Sequence, residues 1–238
     1  MILYNTSMGV AAGLALILVS LLVGLITAPV PVAAAGGDSQ APTASSTRTF
    51  DARLWAVVFG ALGLVLAPLG ALMAATQPLI VNPPLNYMFG EPCLLLGVSL
   101  LGAAVYLWHL RGDVTSLQRV DLTPVWVVLF GLGGVLLACA AAVARFEIVG
   151  SAPAEEPITG LLHEYPVVEN TFFVLLYLGA AAGALLLPVA QLRTGGLLTA
   201  ARRLWLITGV ILAVFVALNF YTHAGMEHNL RIGTDYRF

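Results

Sequence analysis

Six long apolar runs separated by short polar connections set the character of this chain. They cover roughly residues 8–28, 54–75, 93–110, 123–144, 171–190 and 204–222. A helix that crosses a bilayer needs about 20 apolar residues, so the pattern predicts an all-α polytopic membrane protein. Its expected form is six transmembrane helices in a compact bundle, with residues 1–238 forming a single transmembrane domain and both termini on the same side. None of the connections is long enough for a separate soluble domain. The most informative of them, residues 82–92, reads Asn-Pro-Pro-Leu-Asn-Tyr-Met-Phe-Gly-Glu-Pro. It predicts a polar, non-helical hinge where the hydrocarbon begins. Irregular backbone and a carboxylate at that depth need protein or water to satisfy them. Asn86, Phe89, Gly90, Glu91 and Pro92 are therefore candidate interaction or structural residues. Glu91 directly before Pro92 reads as the start of the third helix, since proline suits a first turn and a carboxylate suits the positive end of the helix. The sharper reading has Glu91 projecting toward the bundle to bind a proton, a cation or a partner group.

Composition agrees with the pattern: 60% of residues are hydrophobic, 9% are charged and the mean hydropathy is +0.96. A soluble domain carries about a quarter charged residues. The net charge is only -2 and all ten basic residues are arginine, which leaves no basic stripe for nucleic acid. The two cysteines, Cys93 and Cys139, sit at or within apolar runs without metal spacing and read as small buried residues.

Ala33-Ala34-Ala35 before Gly36-Gly37-Asp38 resembles a signal-peptide cleavage region, but the first seven residues hold no Lys or Arg and the apolar run is long. The first run is expected to remain as a helix. Arginine placement gives an orientation, because short cytoplasmic loops collect basic residues. Arg48, Arg53, Arg111, Arg119, Arg193, Arg202 and Arg203 fall in the first, third and fifth loops; Arg145, Arg231 and Arg237 fall on the other side. Both termini are thus expected outside, at a prokaryotic plasma membrane. All four tryptophans, Trp55, Trp108, Trp126 and Trp205, lie at the expected inner ends, while Tyr4, Tyr87, Tyr165, Tyr221 and Tyr236 lie at the outer ends.

Small residues let helices approach in lipid, and Gly9 with Gly13, Gly63 with Ala67, Gly134 with Ala138, and Gly179 with Gly183 have the required spacing. Pro68 and Pro188 fall inside spans and each removes a helical hydrogen bond. The outer side collects Glu91, Glu155, Glu156, His163, Glu164, Glu169, Asn170, His223, Glu227 and His228, among others. Together with the hinge they suggest an acidic, imidazole-lined outer pocket. If the last helix continues, His223 and Glu227 share a face. Glu91, His163, His223, Glu227 and His228 are the candidate ligands for a metal ion, although no HExxH or repeated His pair supports one. Asn170 reads as the cap of the fifth helix. His109 reads as an inner-interface residue, since no second histidine within a span offers paired haem ligation. Nothing in the chain identifies an enzyme, and no cofactor is expected.

At residues 86–97, Asn-Tyr-Met-Phe-Gly-Glu-Pro-Cys-Leu-Leu-Leu-Gly, the chain resembles a prokaryotic integral membrane family known as domain of unknown function 981. Phe89 to Pro92 is the most specific part, and Tyr221 to His223 is compatible with it. The resemblance implies a small polytopic membrane protein and brings no substrate or catalytic residue. Short loops and small residues favour a non-catalytic accessory or structural subunit of a larger membrane complex, a respiratory one being the leading instance, whose partners are lipid and other membrane subunits. The alternative is a metal- or redox-handling protein using the outer Glu/His groups. A small transporter ranks third, because the span centres lack charge.

Overall fold

The computed structural model describes residues 4–27, 50–110, 114–118, 120–191 and 196–233. Arg48, Arg111, Arg119, Arg193, Arg237 and Tyr236, together with the cleavage-like stretch 33–38, lie outside the described residues. The helices are α1 (Tyr4–Ile26), α2 (Ala52–Thr76), α3 (Pro84–His109), a short α4 (Val114–Gln118), α5 (Thr123–Phe146), α6 (Pro166–Gln191) and α7 (Leu197–Ile232). A single 3-10 turn, Thr159–Leu162, interrupts the α5–α6 connection, and no strand occurs among the described residues. Six of the helices are long and apolar enough to cross a membrane.

The helix starts follow local chemistry. Asp51 caps α2 by accepting hydrogen bonds from the amides of Arg53 (2.9 Å) and Leu54 (3.2 Å). Proline in the first turn opens α3 and α5, where its missing N–H is no loss.

Three expectations are corrected here. The hinge is not an irregular break: α3 begins at Pro84, and Glu91 and Pro92 lie inside it rather than at its start. Helix α6 begins at Pro166, so Asn170 is in its second turn and is not its cap. Helix α7 runs to Ile232, which makes His223 to His228 helical. Its 36 residues span about 54 Å at 1.5 Å per residue, well beyond a hydrocarbon core of about 30 Å. The polar C-terminal third therefore has length to spare outside the apolar layer. All helices run unbroken through Pro68, Pro92 and Pro188.

Neighbouring helices pack in the order α3, α2, α1, α7, α6, α5, and the glycine approaches show that the α2–α3 and α1–α7 pairs run antiparallel. Between α5 and α3 the contact is sparse. Glycines mediate the tight pairs: a Cβ on Gly97 of α3 would lie 2.3 Å from the Ala67 nitrogen of α2, and one on Gly13 of α1 would lie 2.6 Å from the Ala213 nitrogen of α7. Gly9, Gly63, Gly179 and Gly183 are similarly occupied, but a Cβ on Gly134 would meet nothing within 4 Å among the described residues, so no packing role for the Gly134–Ala138 pair is seen there. Gly133 does instead, against Leu185 and Ala184. One core gathers Met8, Phe59, Leu66, Met73 and Leu100 along α1, α2 and α3; a second gathers Leu16, Ala184, Leu187 and Trp205 along α1, α6 and α7.

Candidate functional site

A cavity of about 880 Å³ lies between the two cores. Its walls come from α1, α3, α5, α6 and α7 and from the connections around residues 78–82 and 149–159; α2 contributes none. On α7 the lining positions run from Trp205 to Met226, about 30 Å of helix. The body is apolar, with Leu96, Leu132, Leu176 and Phe215 typical, and the polar groups gather at one end.

The polar end is built where the α5–α6 connection lies across α7. Glu156 is only 6% exposed. Its Oε1 accepts a 2.6 Å hydrogen bond from the Thr222 hydroxyl and stands 3.6 Å from His223 Nε2. The other ring nitrogen of His223 is buried and has no hydrogen-bond partner among the described residues. Asn229, 1% exposed, donates to the Glu155 carbonyl at 2.8 Å. Gly225 lets the connection come close, since a Cβ there would meet Pro157 Cγ at 2.4 Å. These ties hold Ile158 at φ 70, a conformation that a β-branched residue adopts only under local constraint. Glu169, half-buried in the first turn of α6, accepts a hydrogen bond from the Ala152 amide and is within electrostatic reach of Glu156. Asn170 braces the same region: its Oδ1 accepts from the Val149 amide (3.1 Å) and its Nδ2 donates to the Pro166 carbonyl (2.9 Å).

The former hinge forms the opposite wall. Asn86 is fully buried; its Oδ1 accepts from the Leu79 amide (3.0 Å), and its Nδ2 donates to the carbonyls of Leu79 (3.2 Å) and Pro83 (3.0 Å). Asn82 donates to the Ile148 carbonyl at 2.5 Å, linking this connection to the next. The Phe89–Pro92 motif distributes its residues around one turn of α3. Phe89 packs on Phe173 with ring centroids 5.7 Å apart, and both line the cavity. Gly90 abuts α2, where its Cβ would meet the Gly70 carbonyl at 2.9 Å. Glu91 is exposed and lies within electrostatic reach of Cys139 on α5, beside the sparse α3–α5 seam. Pro92 is buried in the cavity wall. Having no N–H, it cannot bond the Met88 carbonyl four residues back; the Tyr177 hydroxyl of α6 donates to that carbonyl at 2.7 Å instead.

Of the candidate metal ligands, only His223 lines the cavity. Glu227 is paired with Arg231 at 2.5 Å, His228 is exposed, and His163 bonds the Gly160 carbonyl through Nδ1 (2.9 Å) with its other nitrogen 3.9 Å from Glu164. No group of three His, Cys, Asp or Glu residues is placed to hold a metal ion among the described residues. Cys93 and Cys139 are free. His109 bonds the Val105 carbonyl of its own helix at 2.8 Å. Sequence reasoning counted Glu156 and Glu169 among the outer polar groups without choosing them as site residues, and did not single out Thr222 or Tyr177. The available signal was that Glu156 and Glu169 flank a connection whose neighbour in the fold, the end of α7, is unusually polar for a span.

No curated protein and no solved structure matches this chain significantly. A family model described as "Protein of unknown function (DUF981)" matches residues 1–226, and the chain belongs to that family.

Proposed function

We propose that this protein binds an amphipathic, lipid-like molecule inside its helix bundle, with the chain of the ligand along the apolar body and its head at Glu156, Glu169 and His223. The cavity carries the reading. Its long body is lined mainly by apolar side chains, which makes it a poor host for water. A hydrocarbon chain suits it, and the thin α3–α5 seam offers a route from the surrounding bilayer. The excess of arginine in the first, third and fifth loops supports an outward-facing polar end.

The test is mass spectrometry of the full chain released gently into lipid nanodiscs. A near-stoichiometric amphiphile should be retained, and Leu136→Trp, which adds bulk to the cavity wall, should lose it. Absence of any retained amphiphile from the native protein refutes the reading.

A second reading, an accessory subunit of a larger membrane complex, is favoured by one face of α5. Gly131, Gly134, Ala138 and Ala141 are exposed along it, and a Cβ at either glycine meets nothing within 4 Å. Such a stripe admits a partner helix at close range. The same preparations should then contain a stoichiometric second protein that Gly134→Leu releases.

A further inference from the structure

The head-group end of the cavity has a sign. Glu156 and Glu169 both line it, and no arginine does among the described lining residues. His223 is the one lining group there that can carry positive charge, and its nearest anionic atom is the Glu156 Oε1 already bonded to Thr222. The remaining polar lining groups, Asn5, Ser151 and Asn219 among them, are neutral. Arg231, the nearest basic residue along α7, is turned to Glu227 and is exposed. Arg202 sits at the far end of the same helix, donating to the Ser20 carbonyl at 3.1 Å. Two carboxylates line one tip of an apolar chamber, and among the described lining residues only His223, beside Glu156, could offset their charge. In a partly desolvated site a phosphate or carboxylate head would be repelled, whereas an ammonium head would be held by both.

We infer that the cavity selects an amphiphile with a cationic amine head, seated between Glu156 and Glu169, with its alkyl chain running toward Trp205. This rests on the amphiphile reading above and specifies its ligand class. Both an amine-headed membrane lipid and a free long-chain amine carry this chemistry.

Trp205 provides a readout, because it lines the deep end of the cavity and is 3% exposed. In a full-length variant with Trp55, Trp108 and Trp126 replaced by phenylalanine, reconstituted in neutral-lipid nanodiscs, its fluorescence is titrated with brominated probes of equal chain length. One probe carries a primary amine, one a hydroxyl and one a phosphate; a brominated amine-headed phospholipid against the free amine separates the two sources. The expected result is saturable quenching by the amine at about tenfold lower mole fraction than by the alcohol, and weaker still by the phosphate. Glu156→Gln and, separately, Glu169→Gln should each reduce the amine's advantage over the alcohol. Equal quenching by amine, alcohol and phosphate overturns the head-group inference and leaves the amphiphile site standing. No saturable quenching by any probe overturns both. The comparison among probes is made on the same protein, so it does not depend on either glutamine variant folding.

Discussion

The same substitution should have opposite effects at two positions five residues apart on α3. At Gly97, an alanine Cβ would lie 2.3 Å from the Ala67 nitrogen, 2.8 Å from its Cα and 2.9 Å from its Cβ. The obstacles are backbone, which cannot rotate away, so α2 and α3 must separate by about 1 Å along their most intimate contact. Overpacking of this kind costs about 1–3 kcal/mol, against a gain of about 0.5–1 kcal/mol from replacing glycine within a helix. Gly97→Ala should therefore destabilise by about 1–2 kcal/mol, a fall of several degrees in melting temperature at about 2–4 °C per kcal/mol for a chain of this size. At Gly102 nothing lies within 4 Å of the added methyl group. Only the helix gain remains, and Gly102→Ala should raise the melting temperature by about 1–4 °C. Thermal unfolding of the purified chain in one detergent, followed by tryptophan fluorescence, measures both. If the two variants shift in the same direction, close glycine packing is not what joins α2 to α3.

Two further expectations concern the connections. Asn86→Leu removes the partner of the Leu79 amide and of the Leu79 and Pro83 carbonyls, at about 1 kcal/mol or more for each group left unpaired; hydrogen exchange at the Leu79 amide should accelerate, and unchanged protection would contradict the bracing role. Asp121, ahead of α5, accepts hydrogen bonds from the Thr123 side chain and from its backbone amide (2.9 Å), which hold its carboxyl below the ordinary range. A lowered native value means that the stabilisation is intact above the unfolded value and is lost as pH falls through the native one. An NMR titration should find Asp121 below an ordinary aspartate and Thr123→Val should move it back up; no response to that substitution would exclude the hydroxyl as the main cause.

The six helices were legible because length and apolarity alone decide whether a segment can satisfy its backbone within lipid. Where each helix starts was less legible. Pro92 carries the rule that an interior proline ends a helix; here the helix continues, and the carbonyl that proline leaves unpaired is bonded by a side chain from another helix, Tyr177. That donor is 85 positions away from Pro92 in the chain, so no local pattern could announce it. Asn170 misled for a related reason. Its side chain does bond backbone, as a cap would, but the amide it serves belongs to Val149 on the preceding connection. The four small-residue pairs carried the right physics for three; Gly134 and Ala138 have the spacing without a partner helix on that side among the described residues.

The cavity depends on the least local information of all. Its polar end exists because Glu156 on a connection meets Thr222 and His223 on α7, 66 and 67 positions later, while Glu169 arrives from α6. From sequence, these residues belonged to a diffuse acidic and imidazole-rich surface in which Glu91 had the strongest claim. The fold separates them by direction. On α3 the side chains of Phe89 and Pro92 enter the cavity wall, whereas Glu91 between them points out beside the α5 seam. Helical periodicity is the cause: neighbours on one turn cannot all face the same space. The carboxylates that meet the cavity are those whose positions are fixed by other contacts. Glu156 is clamped through Thr222 and the close Gly225–Pro157 approach, and Glu169 is set in the first turn of a helix braced by Asn170. A carboxylate held in place at the tip of an apolar chamber can discriminate between ligand head groups by charge, and a solvated one cannot.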